Sequence, residues 1–111
     1  MTLRELFLSV CLHTTLPCDE IEVRYAETPP ESEAAALMYN SGRMEILFNP
    51  KIKKKTSRHK NTMVHEVAHL VVYQIKGRKP YIGHGYLFSN ECIKLSMDYG
   101  IRVGHCRNAG D

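Results

Sequence analysis

Residues 65–69 read His-Glu-Val-Ala-His, an H-E-x-x-H pattern. On a helix, His65 and His69 stand one turn apart on the same face. Two imidazoles so placed can converge on one ion at about 2.0–2.1 Å, the usual zinc–nitrogen distance. Glu66 sits about 100° further round the helix. From there it can act as general base, taking a proton from a metal-activated water as that water attacks a carbonyl. The spacing alone also allows a surface helix with two solvated histidines. The neighbours argue against this. Met63, Val64, Val67, Ala68, Leu70 and Val72 make the segment apolar nearly all round, so it should be buried. Buried histidines beside a glutamate need partners or a metal.

A catalytic zinc usually takes three protein ligands and leaves its fourth position open. Two downstream residues compete for the third place. His84 follows a turn containing Gly77, Pro80 and Gly83, and Gly83 and Gly85 flank it, which permits close backbone approach. Glu91 lies one to two turns into the next helix. The reversal at Gly77–Gly83 favours His84, and Glu91 stays as the rival. The ligand set points to one Zn²⁺ ion. Tyr73, Tyr81 and Tyr86 are the candidates to stabilise an oxyanion, although each is also an ordinary packing aromatic. His13, His59 and His105 read as structural or solvated.

The elements that must position these groups follow from the pattern. Leu3, Leu6, Phe7 and Val10 recur at helical spacing, so residues 2–14 read as an amphipathic helix. Ile21 to Tyr25 alternates apolar and charged residues, as a half-buried strand does. Pro29 and Pro30 break it, and residues 31–39 read as a helical turn or an irregular crossing. Met44 to Phe48 is a second strand, stopped by Asn49-Pro50. A helix over about 58–76 carries the motif and ends at Gly77, and a last helix covers about 86–98 before Gly100. The order helix, strand, strand, helix, helix predicts an α+β domain with a small sheet.

The second strand, the motif helix and the segment His84-Gly85-Tyr86-Leu87-Phe88 together resemble the SprT-like zinc metalloprotease family, the family of the SprT and Spartan protease domains. Its pattern is a strand of the type I-x-L-N-P, then H-E-x-x-H, then H-G-x-x-F. The likeness spans about residues 44–95. It implies that His65, His69 and His84 bind zinc, that Glu66 is the general base, and that the fold is a minimal zincin-like metalloprotease domain. It implies that Phe88 packs one turn after His84 and holds it. It also implies a zinc-dependent endopeptidase acting on DNA-associated proteins.

The chain has 111 residues, 43% of them hydrophobic and 24% charged, which fits one globular domain over residues 1–111. No apolar run approaches the roughly 18–20 residues of a membrane span. The net charge of +3 hides an asymmetry. Residues 51–60 hold Lys51, Lys53, Lys54, Lys55, Arg58 and Lys60 and no acid. Without these six, nine basic residues face twelve acidic ones. The expected partners are therefore a protein or peptide substrate and, through this segment, DNA. A solvated loop is the plainer account of the same charges. Cys11, Cys18, Cys92 and Cys106 contain no C-x-x-C pair, so no C-terminal zinc ribbon is expected. With no secretory signal recognised, the cysteines are expected to be reduced and the protein cytoplasmic or nucleoid-associated, away from membranes. The alternative function is a non-catalytic zinc-stabilised module binding nucleic acid or protein.

Overall fold

The computed structural model describes residues 1–29, 32–51, 56–81 and 83–107. The chain opens with helix α1, Leu3–Cys11. Thr2 caps it by accepting the Glu5 N–H at 3.0 Å, while the Glu5 carboxylate accepts the Thr2 N–H at 2.6 Å. This reciprocal pair satisfies two amide donors in the first turn. The buried face of α1 carries Leu6, Phe7, Val10 and Cys11. A short 3₁₀ turn, Cys18–Glu20, leads into strand β1, Glu22–Tyr25.

Strands β2, Ala34–Met38, and β3, Met44–Phe48, complete a three-stranded sheet of order β1-β3-β2. β3 pairs parallel with β1 and antiparallel with β2. As the central strand it is buried along its whole length, which explains why four of its five residues, Met44, Ile46, Leu47 and Phe48, are apolar. Its one charge, Glu45, is only 2% exposed. Tyr39 donates to that carboxylate at 2.9 Å, and the exposed Arg43 guanidinium pairs with it, so the buried charge is compensated.

The segment expected as a helical turn or irregular crossing is strand β2. Its Ala34-Ala35-Ala36 run favours helix locally and is poor in strand propensity. Pairing with β3 overrides that preference. Small side chains let the strand lie close against helix α2, Thr56–Ile75. Glu33, just before β2, accepts from the Thr62 hydroxyl at 2.8 Å and pairs with Arg58, tying the strand to α2.

α2 runs through the core, where Met63, Val64, Val67, Ala68 and Leu70 are fully buried. It stops at Gly77, whose φ of 77° suits glycine, and Arg78 follows at φ 60° with its N–H returning to the Tyr73 carbonyl at 2.8 Å. Helix α3, Tyr86–Tyr99, packs along α2. It closes at Gly100 (φ 85°), whose N–H and that of Ile101 both reach the Ser96 carbonyl at 2.9 Å. The four-residue helix α4, Gly104–Arg107, follows. Among the described residues, no helix is long and apolar enough to cross a membrane.

The cysteines differ from the expectation of free thiols. Cys11 pairs with Cys18, and Cys92 with Cys106, at Cα separations of 6.1 and 5.6 Å. The turn after α1 brings the first pair together, and the return of α4 onto α3 brings the second. Neither approach has a signature in sequence spacing.

Candidate metal centre

α2 places His65 and His69 one turn apart, facing the start of α3. His84 precedes α3, just after Gly83, whose φ of 100° lets the chain reverse there. The His84 Nε2 lies 3.1 Å from the His65 Nε2 and 2.9 Å from the His69 Nε2. Three imidazole nitrogens thus converge on one point, all on half-buried side chains. A tetrahedral zinc bound at about 2.0–2.1 Å sets its nitrogens about 3.3 Å apart. The two separations from the His84 Nε2 need only a few tenths of an ångström of opening, and the three ligand atoms all lie within 4.8 Å of one another, so these residues fit the ion.

Of the two candidates for third ligand, His84 lies in the cluster. Glu91 faces a separate groove of about 290 Å³ with His13, Gln74 and Lys94. The Gly77–Gly83 reversal returns the chain to the His65–His69 face before α3 begins, whereas Glu91 lies further along that helix.

Phe88 is the brace behind the triad. Its ring is 1% exposed and stacks on His69 at 4.3 Å between centroids, with His65 and His84 each at 4.8 Å. It therefore supports all three imidazoles rather than His84 alone. Tyr81 touches the triad from the other side. Its hydroxyl lies 2.8 Å from the His69 Nδ1 and 3.0 Å from the His69 carbonyl oxygen. The carbonyl can only accept, so the hydroxyl donates to it and receives the Nδ1 proton. That arrangement puts the His69 hydrogen on Nδ1 and leaves the Nε2 lone pair aimed at the cluster. Burial, with the nearby His65 and His84, pushes the His69 imidazole down to about 3, so it stays neutral, as a ligand must.

Glu66 lines the same cleft, a space of about 600 Å³ bounded by Ala34, Ala36, Met38, the three histidines and Tyr81. Its side chain is buried, which pushes its carboxyl up to about 7, and a hydrogen bond from the Ala36 backbone N–H restrains the rise. A carboxyl titrating there is suited to exchange a proton near neutral pH.

Of the three candidate tyrosines, only Tyr81 lines the cleft. Tyr73 is fully buried and donates its hydroxyl to the Tyr39 carbonyl, and Tyr86 is 84% exposed. His59 is buried against Phe48, with rings stacked at 5.5 Å, and lies outside the triad. In the basic segment, Lys51 and Arg58 are exposed and Lys60 is half-buried, with Arg58 paired to Glu33. Lys53, Lys54 and Lys55 lie outside the described residues. Sequence reasoning missed the backbone of Ala36. Only strand pairing reveals it, because no side chain marks it.

Fold and centre together define the class: a small α+β domain with a three-histidine candidate metal site built from α2 and the turn that leads into α3. The chain belongs to the SprT-like family, whose family model matches residues 8–105. The family is associated with zinc and suggests a metalloprotease-type domain, and the three histidines are candidate metal-binding residues. No curated protein and no solved structure matches the chain.

Proposed function

We propose that this protein is a zinc-dependent endopeptidase of zincin-like architecture, with His65, His69 and His84 as ligands and Glu66 as general base. One observation carries the reading: the three Nε2 atoms converge in the same cleft as a buried glutamate whose carboxyl titrates near 7. When bound, zinc would supply Lewis-acid polarisation of the scissile carbonyl and lower the pKa of the attacking water. Glu66 accepts the proton at its carboxylate and later delivers it to the leaving amine. Tyr81 holds the His69 tautomer, and Phe88 holds the rings in place.

The substrate class follows from β2. The Asn49 N–H bonds the Glu33 carbonyl at 2.8 Å, and the Tyr39 N–H bonds the Arg43 carbonyl at 3.1 Å. In an antiparallel pair, hydrogen-bonded positions alternate. The odd-numbered residues of β2 therefore bond β3, and Ala34, Ala36 and Met38 point their backbone groups to the outer edge, where Glu66 already holds the Ala36 N–H. That edge bounds the cleft. An extended peptide can add to it as another strand, bringing its own carbonyls past the histidines. The basic segment leading into α2 supports a substrate associated with a polyanion, DNA first among them.

The test is Glu66→Gln. A general base contributes about 10²–10⁴-fold, so protein cleavage should fall by that factor while zinc content stays at one per histidine triad. Cleavage unchanged in the zinc-loaded variant would remove Glu66 from the role. A non-catalytic zinc module is the second reading. Among the described residues the triad has no fourth protein ligand, which favours the open, catalytic form.

A further inference from the structure

We propose that Cys92, Cys106 and His105 form a second metal site, independent of the cleft, which takes Zn²⁺ when the Cys92–Cys106 disulfide is reduced. The two sulfurs come from α3 and α4 and are fully buried. A disulfide needs only those two residues, but this one has further donors around it. The His105 Nε2 lies 3.7 Å from the Cys106 Sγ. The Ser96 hydroxyl, also buried, lies 3.0 Å from that Nε2 and 3.4 Å from the same sulfur. Tetrahedral zinc, with bonds of about 2.3 Å to sulfur and 2.0–2.1 Å to nitrogen, sets S and N about 3.6 Å apart. The Cys106–His105 pair already has that spacing. The sulfurs need only separate to about 3.8 Å.

The chemistry balances with a thiol reductant. Two reductant thiols pass two electrons to the Cys92–Cys106 bond, which breaks to give two protein thiols, and the reductant leaves as its own disulfide. Each protein thiol then gives its proton to solvent as Zn²⁺ binds. Two thiolates neutralise the ion, so the buried site carries no net charge. The neutral His105 nitrogen takes the third position. The Ser96 hydroxyl stands at the fourth. Either bridge pins α4, which at four residues is far too short to hold its own helical turn. The Cys11–Cys18 pair offers a contrast. Its nearby side-chain polar group is the Thr14 hydroxyl, 3.7 Å from the Cys11 Sγ, and among the described residues it belongs to no metal-ligand group.

Cobalt titration of the fully reduced full-length protein under anaerobic conditions tests this, because only a sulfur-ligated site gives a near-ultraviolet thiolate-to-cobalt charge-transfer band. Two cobalt ions per chain and that band are expected. The band should persist in Cys11→Ser/Cys18→Ser and in His65→Ala/His69→Ala, and vanish in Cys92→Ser. Should Cys92→Ser fail to fold, His105→Ala, on a half-buried side chain, is the second variant. It should weaken cobalt binding at the sulfur site by at least about tenfold, the scale that even outer-shell losses cost. A reduced wild type that gives no such band, a band that survives Cys92→Ser, or a band lost with Cys11 and Cys18 would overturn the proposal. The histidine triad contains no sulfur, so its own failure to bind metal leaves this readout intact.

Discussion

The Tyr81 hydroxyl makes two hydrogen bonds to one residue, receiving the His69 Nδ1 proton at 2.8 Å and donating to the His69 carbonyl at 3.0 Å. The pair fixes both the orientation and the tautomer of a central imidazole of the triad. Tyr81→Phe keeps the ring and removes both bonds. Zinc affinity should fall about 10–100-fold, the usual cost of losing an outer-shell partner. Competition with a chelator of known affinity measures it. Unchanged zinc affinity would reduce Tyr81 to a packing aromatic.

Metal-free stability should carry two opposed pH slopes. Glu66 has its folded-state value raised from 4.5 to about 7, so its folded form holds the proton more tightly. Its contribution is fully present below pH 4.5 and is lost as pH rises through 7. His69 has its value lowered from 6.5 to about 3, so its contribution is present above pH 6.5 and is lost as pH falls through 3. Between pH 4.5 and 6.5 the two oppose each other. Glu66→Gln removes the first, and stability should then rise steadily with pH up to about 6.5. Urea midpoints across pH, with chelator present, read this directly. A variant that keeps the wild-type profile contradicts the Glu66 assignment.

Phe88 packs against all three imidazoles, so its removal strikes the fold and the site together. Phe88→Ala should cost about 3–5 kcal/mol of stability, as large-to-small changes of a buried phenylalanine do. Phe88→Leu restores most of the volume but not the flat face under His69. It should recover much of the stability while zinc binding stays weaker than in the wild type. Parallel denaturation and zinc titration separate the two effects.

DNA binding through the basic segment has a salt signature. Arg58 is already held by Glu33. If the other five cations each neutralise a phosphate, log affinity should fall with log salt at a slope of about −4.5. Breaking the Glu33 pair with Glu33→Gln frees Arg58 and should steepen the slope by about one unit. Affinity that stays flat from low to moderate salt would end the DNA half of the proposed function.

The sequence alone determined what is local. The His-Glu-Val-Ala-His spacing, with no glycine or proline inside it, places two imidazoles on one helix face by backbone geometry alone. The helices around 3–11, 56–75 and 86–99 were legible for the same reason, as were β1 and β3. What was not legible depends on pairs far apart in the chain. The glycines around His84 already favoured it over Glu91, but only the folded chain brings its Nε2 to 3.1 and 2.9 Å from those of His65 and His69. An alanine run becomes a strand because β3 offers it partners, and the Ala36 N–H meets Glu66 because that strand lies at the sheet edge. The cysteine pairing inverted the sequence expectation, since seven and fourteen residues of separation say nothing about how closely two Cα atoms approach. Periodicity is written in neighbours along the chain, so it can be read directly. Hydrogen-bond partners, the face that Phe88 presents and the meeting of Cys92 with Cys106 and His105 are consequences of packing, and only the folded chain decides them.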